Sequence, residues 1–285
     1  MSHPFDRLPT AVPLADAGDL LDGGHVWLHE YPDGTPLRFR LRSSGLLQVA
    51  YPVEVGEERR WRRAAGTNVP PRFGFAVRAL QRQLDRAALR AAVEDPTEVA
   101  FGCVAVHRRR LGYDWDRAPP VVGLSVAHPG SSFLPHELQR LFDGVGVPPA
   151  PTIEAEVHTR SLDATGVDLP ESAWRDGPAL GVLYRGKPDG LALQLDSPES
   201  TVEEVSETGA DYAERRVTSE RIEAAAAAVA DDGREPTVDA VAEWLFDRAV
   251  RDDFPTLTGD AVEFDLDDLR SAITARVAEL RGRGE

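Results

Sequence analysis

The chain has 285 residues, 42% of them hydrophobic, and a formal net charge of −16 from 48 acidic and 32 basic side chains. That length and apolar content supply a core without staples, and a lone cysteine, Cys103, excludes both a disulfide framework and a cysteine-ligated zinc site. No apolar run approaches the ~20 residues of a membrane span, and the start MSHPFDRLPTAVPLADAGD has no basic stretch leading into an apolar one, so a cytoplasmic protein without a membrane partner is expected.

The basic residues are 31 Arg and a single Lys, Lys187, which together with the acidic excess suggests a halophilic protein hydrated by surface carboxylates. Charge is uneven along the chain. Residues 1–110 carry 16 Arg against 13 Asp and Glu, whereas residues 201–285 carry 10 Arg against 22.

In chain order, HVWLHEYPDGTPLRFRLR (25–42) alternates β-favouring residues on both sides of Pro32-Asp33-Gly34 and reads as a hairpin. SGLLQVAYPVE (44–54) is a further strand. FAVRALQRQLDRAALRAAVE (75–94) has the apolar period of one helix, and Arg78, Arg82, Arg86 and Arg90, four residues apart, then share a face. With Arg59, Arg60, Arg62, Arg63 and Arg108 to Arg110, that face is a candidate RNA-binding surface, and equally a solvated helix face. Trp61, Tyr113 and Trp115, beside these arginines, would add stacking if exposed and are otherwise core.

TEVAFGCVAVH (97–107) and PPVVGLSVAH (119–128) are strands, LPHELQRLFDGVG (134–146) is a short helix ending in Gly, and PTIEAEVHT (151–159) is another strand. GPALGVLYRGKPDGLALQL (177–195) is a second hairpin, turning at Lys187-Pro188-Asp189-Gly190. From Asp196 to about Asp211 the composition is that of a linker, and the remainder is helical: 216–233, 237–250 with Thr237 as cap, and 265–284. Strands and helices follow no βαβ rhythm and no repeat is visible, so the class is α+β.

His25 and His29 fall four apart on one strand face, but no cysteine or carboxylate cluster completes a metal site beside them. GxSxG, GxxxxGK[ST] and HExxH are all absent, which removes the commonest hydrolase and phosphate-loop chemistries.

Several landmarks do line up. HEYPDGTPLRFRLRSSGLL, AFGCVAVHRRRLGYDWDRAPPVVGLSV, SAWRDGPALGVLYRGK, GLALQL and the helical tail together resemble an ATP-dependent RNA ligase of the lysine-adenylylating nucleotidyltransferase superfamily. The resemblance implies a nucleotidyltransferase-like domain of two antiparallel sheets with flanking helices (1–205) and a small C-terminal helical domain (206–285). It further implies a cleft holding ATP and Mg, a lysine that attacks the α-phosphate, and transfer of AMP to an RNA 5′-phosphate.

Against that pattern the chain retains Glu30, Asp33, Gly34, Arg38 and Arg42, although Asp33-Gly34 is also what a turn requires. It departs at Tyr31, in the lysine position; at Cys103 and Leu180, where acids are implied; and at GLALQL, where Leu193 stands in place of late lysines. Lys187 forms a literal KPDG, but only 95 residues follow Gly190, too few for the remaining motifs. A phenol of pKa near 10 is a poor substitute nucleophile.

Replacing charges that no longer bind ligand by apolar groups stabilises a cleft by ~1–4 kcal/mol, and Cys103, Leu180 and Leu193 are such replacements; a cleft plugged by these and Tyr31 would mark an inactive protein, and an open, charged one an enzyme. The expectation is therefore a catalytically inactive paralogue with no catalytic residue, metal site or cofactor, binding RNA or a protein partner in RNA repair. The alternative is an active RNA ligase that uses ATP and Mg through non-standard residues.

Overall fold

The computed structural model describes residues 3–55, 58–65, 68–162, 166–186, 190–196, 208–258 and 266–282. Two compact units divide the chain. The first comprises Met1–Val69, Ala76–Val106 and Arg110–Glu199, and the second Pro70–Phe75, His107–Arg109 and Ser200–Glu285. The expected boundary at 205/206 and the Lys187–Asp189 turn lie outside the described residues.

The first unit is α+β and holds two five-stranded sheets. One runs β1 (Val12–Pro13), β10 (Leu191–Leu195), β9 (Gly181–Arg185), β2 (His25–Tyr31), β8 (Thr152–His158); the other runs β5 (Glu58–Ala65), β4 (Leu47–Val55), β3 (Gly34–Leu41), β6 (Ala100–Val106), β7 (Val121–Ala127). All pairings are antiparallel except the short parallel pairing of β1 with β10.

The stretch 25–42 is not a hairpin. β2 pairs with β8 and β9, whereas β3 pairs with β4 and β6, so Pro32 and Asp33 carry the chain from one sheet to the other. Gly34 allows the crossing, because a Cβ there would sit 2.1 Å from the carbonyl oxygen of Ala105 on β6. The true hairpin is β3–β4, closed at Gly45 with φ +77°. Beyond it β5, reading ERRWRRAA, is a strand that apolar alternation does not reveal; as the sheet edge it needs only one paired neighbour. The second expected hairpin is present as β9–β10.

The expected helix over 75–94 is two helices, α2 (Gly74–Gln83) and α3 (Arg86–Ala92), which follow the short α1 (Gly18–Leu21). The Asp85 carboxylate accepts the N–H groups of Ala87 and Ala88 at 2.9 and 2.8 Å and so starts a new helix. Arg78 and Arg82 thus belong to one helix and Arg86 and Arg90 to the next, and the single four-arginine face does not exist. Arg82 and Arg90 are exposed, while Arg78 and Arg86 are half-buried.

Apolar alternation places Leu37, Phe39 and Leu41 on one face of the second sheet. Phe39 stacks on Phe101 at 4.6 Å, and Phe142 of α4 (Pro135–Gly144) lies 6.0 Å from Phe101. On the first sheet, Val26, Leu28, Val182, Tyr184 and Ala192 form a separate core with Leu14 and Ala17.

The second unit is built mainly from α5 (Gly209–Arg216), α6 (Ser219–Asp231), α7 (Val238–Asp252), α8 (Phe254–Thr258) and α9 (Leu266–Gly282). The hydroxyl oxygens of Thr208, Thr218 and Thr237 cap α5, α6 and α7; α5 occupies the end of the expected linker. Tyr212 donates to Asp253 at 2.5 Å, Arg216 pairs with the same carboxylate, and the buried ring of His107 stacks on Phe254 at 3.5 Å. Among the described residues no helix is long and apolar enough to cross a membrane.

Candidate functional site

β2 ends at Tyr31, which is half-buried and packs against a core cluster that includes Val104, Val106, Val122, Tyr113, Trp115 and Trp174. Its neighbour Glu30, 2% exposed, accepts the Ser172 hydroxyl at 2.6 Å and the Ala173 N–H at 2.8 Å. Burial raises the Glu30 pKa, and these two hydrogen bonds pull it the other way. Asp33, equally buried, accepts the N–H groups of Arg110 and Leu111 at 2.6 and 2.9 Å, while its own N–H donates to the Tyr113 hydroxyl at 2.8 Å.

The loops that supply these partners hold one another. The Asp114 N–H donates to the Trp174 carbonyl at 2.9 Å, Arg117 donates to the Ala173 carbonyl at 2.8 Å, and Tyr113 meets Trp115 and Trp174 edge-on at 5.7 and 5.9 Å. The segments YDWDR and SAWRDG therefore clasp each other around the Glu30–Gly34 crossing. Sequence reasoning singled out these segments but missed Tyr113, Ser172 and Trp174 as partners of Glu30, Asp33 and Tyr31. The signal available was their shared aromatic and polar composition. Tyr113 and Trp115, 7% exposed each, are core and not stacking platforms.

The four departing positions do not converge on one cleft. Leu193 pairs with Leu183, which pairs with His29, so Leu193 shares the sheet face of His29 and Tyr31. Leu180 is buried and immediately precedes Gly181, the partner of Tyr31. Cys103 stands apart: it pairs with Leu37 and falls on the face of Leu37 and Phe101, opposite that of Val104 and Val106. Its thiol lies 3.5 Å from the Leu37 carbonyl, and burial pushes its pKa up.

His29 is 6% exposed, with one ring nitrogen 3.4 Å from the Thr152 hydroxyl and Nε2 without a partner. Burial, reinforced by Arg185, lowers its pKa to about 4. Arg185 itself donates to the Leu124 carbonyl of β7 and ties the two sheets together. His25 is exposed beside His158, ring centroids 5.0 Å apart. Arg38 donates to the Phe5 carbonyl at 2.8 Å and lies 4.0 Å over the Trp61 ring; Arg42 is exposed.

These donors fit neither a triphosphate nor a divalent cation. The cluster around Tyr31 presents aromatic rings and alkyl groups, and its two carboxylates are turned to N–H and hydroxyl donors of the protein. Among the described residues no three His, Cys, Asp or Glu side chains are grouped as metal ligands would be.

The chain is similar to a mutant of the Naegleria gruberi RNA ligase with AMP and Mn, at TM-score 0.46 and 10% identity, covering 66% of this chain and 55% of that one. It is also similar to an archaeal ATP-dependent RNA ligase in two forms: TM-score 0.42, 15% identity, 98% of this chain and 66% of that one for form 1, and 0.40, 14%, 95% and 62% for form 2. It thus spans 55% to 66% of the length of these solved chains. No protein-family model matches the sequence, and no curated protein does.

Proposed function

We propose that the chain is an RNA-ligase-like pseudoenzyme, a nucleotidyltransferase-like domain that forms no lysine–AMP intermediate and acts by binding RNA or an RNA-repair partner in the cytoplasm of a salt-rich cell. The observation that carries this reading is Tyr31. It stands where the resemblance requires an amine, beside the retained Asp33-Gly34, and packs against an aromatic cluster. A phenol there does not readily attack a phosphate. Glu30 and Asp33 support the reading, since each is accounted for as a buried anchor of the crossing.

The test is incubation of purified protein with α-labelled ATP and Mg²⁺ or Mn²⁺ at high salt. No acid-stable label is expected. Nor should Tyr31→Lys acquire one, because the amine alone restores neither the acids nor the late lysines that the resemblance implies and that Cys103, Leu180 and Leu193 replace. An adduct mapped to Tyr31 or Lys187 in the parent protein would overturn the proposal.

A further inference from the structure

β3 carries Arg38 and Arg40 on alternate positions, with Arg42 directly beyond, so a two-residue period sets the three arginines on one face about 6.8 Å apart. Arg63 joins them from β5, in register with Arg38 across Ala50 of β4. Arg90 closes the far end, its guanidinium 3.8 Å from where a Cβ on Gly45 would lie, above the β3–β4 turn. One of the four helix arginines thus joins a strand-based row.

What distinguishes the row is how its charges are held. Arg40 donates to the Gln48 side-chain oxygen at 2.7 Å and to the Thr97 carbonyl at 3.0 Å, and Arg38 is held by the Phe5 carbonyl and the Trp61 ring. All four partners are neutral. Among the described residues no carboxylate pairs with Arg38, Arg40 or Arg42. Of the nearby acids, Glu98 pairs with Arg7 at 2.8 Å and Asp95 accepts the N–H and hydroxyl of Thr97, while Asp6 pairs with Arg63 of the row itself at 3.6 Å, so the charge of that flanking arginine is offset whereas those on β3 are held by neutral groups. In a chain of net charge −16 carboxylates are plentiful, and other arginines take them, as Arg216, Arg234 and Arg276 do. Neutral acceptors orient a guanidinium without cancelling its charge, leaving half-buried cations that an external anion would satisfy. Burial pulls the Arg38 and Arg40 pKa values down, and the nearby carboxylates, Asp6 for Arg38 and Glu98 and Asp95 for Arg40, oppose this.

We infer that the Arg38–Arg40–Arg42 face of β3, flanked by Arg63 and Arg90, is a lane for the phosphodiester backbone of single-stranded RNA. Successive phosphates lie along the strand, each facing one guanidinium. This deepens the RNA-binding part of the reading above and is independent of its catalytic part.

The test uses the full chain and a fluorescein-labelled oligouridylate, with anisotropy followed across salt. Arg40→Gln/Arg42→Gln should weaken binding roughly tenfold or more at low salt and reduce the slope of log affinity against log salt by about 1.4, or ~0.7 for each phosphate no longer neutralised. Arg42→Glu, at an exposed position, should weaken it further with an unchanged melting temperature, which keeps the test valid if the double variant folds poorly. Arg82→Gln/Arg86→Gln should bind as the parent does. If the β3 variants bind normally while the α2/α3 variant does not, the lane is overturned and RNA binding stands. A parent that fails to bind oligouridylate overturns both and turns the face toward an acidic protein partner.

Discussion

Asp33 and Gly34 show how a residue can serve two readings at once. In sequence they mark both a nucleotidyltransferase motif and a turn; in the structure they hold a sheet-to-sheet crossing. Asp33→Ala should remove the acceptor of the part-buried N–H groups of Arg110 and Leu111, at a cost of about 0.5–1.5 kcal/mol each. Urea unfolding should show this as a lower midpoint at constant m-value. An unchanged midpoint would mean the carboxylate is kept for a ligand and not for the fold. His29 gives a second residue-scale prediction. Unfolded, it takes up a proton near pH 6.5, but folded only near 4, so falling pH feeds the unfolded state and costs roughly 3 kcal/mol by pH 4. His107, lowered to about 3, acts in the same direction within the second unit. Glu30 has the opposite sign: its raised pKa makes its contribution greatest in acid and lost as pH rises through the folded value. A His29→Gln variant should therefore lose less melting temperature than the parent between pH 7 and 4, and equal losses would show that His29 is not the group responsible.

At the scale of elements, legibility followed the number of partners that decide each outcome. β6, β7 and the β9–β10 hairpin were readable because burial stamps them with apolar runs or alternation, whereas β8, mostly exposed, was readable from its alternating Ile, Ala and Val alone. The partners of β2 and β3 were not, since Pro-Asp-Gly is compatible with a hairpin or a crossing, and the choice is made by Ala105, Arg110, Leu111 and Tyr113, some 70 to 80 residues away. β5 escaped because arginines on both of its faces leave no apolar signature. The same limit hid the site. Tyr31, Cys103, Leu180 and Leu193 could be named as departures, but only register shows that Cys103 faces away from Tyr31. The break between α2 and α3 had a local signal, Asp85, which the continuous apolar period masked. Asp85→Ala should cost ~1 kcal/mol through loss of the cap to Ala87 and Ala88, measurable by denaturant midpoint. No loss of stability would mean that α3 is held by Leu89 packing alone.

For the whole molecule the governing quantity is charge. A formal −16 on 285 residues destabilises the folded chain by self-repulsion at low salt, and residues 201–285, with 22 acids against 10 arginines, carry most of it. Opposing this are surface ion pairs such as Arg60–Glu58 and Arg276–Glu279, each worth about 0–1 kcal/mol. Added salt screens both, but repulsion among many like charges outweighs a few exposed pairs once the Debye length falls from ~10 Å at 0.1 M to ~3 Å at 1 M. The melting temperature should therefore rise with KCl, and more for the α5–α9 unit than for the sheets. Far-ultraviolet circular dichroism of the unaltered chain follows the mainly helical second unit. Oligouridylate affinity should fall over the same titration, because the arginine lane loses what the acidic surface gains. A melting temperature that rises with ammonium sulfate but not with KCl would assign the effect to strengthened apolar burial. One that ignores both salts would remove charge repulsion as the factor governing stability.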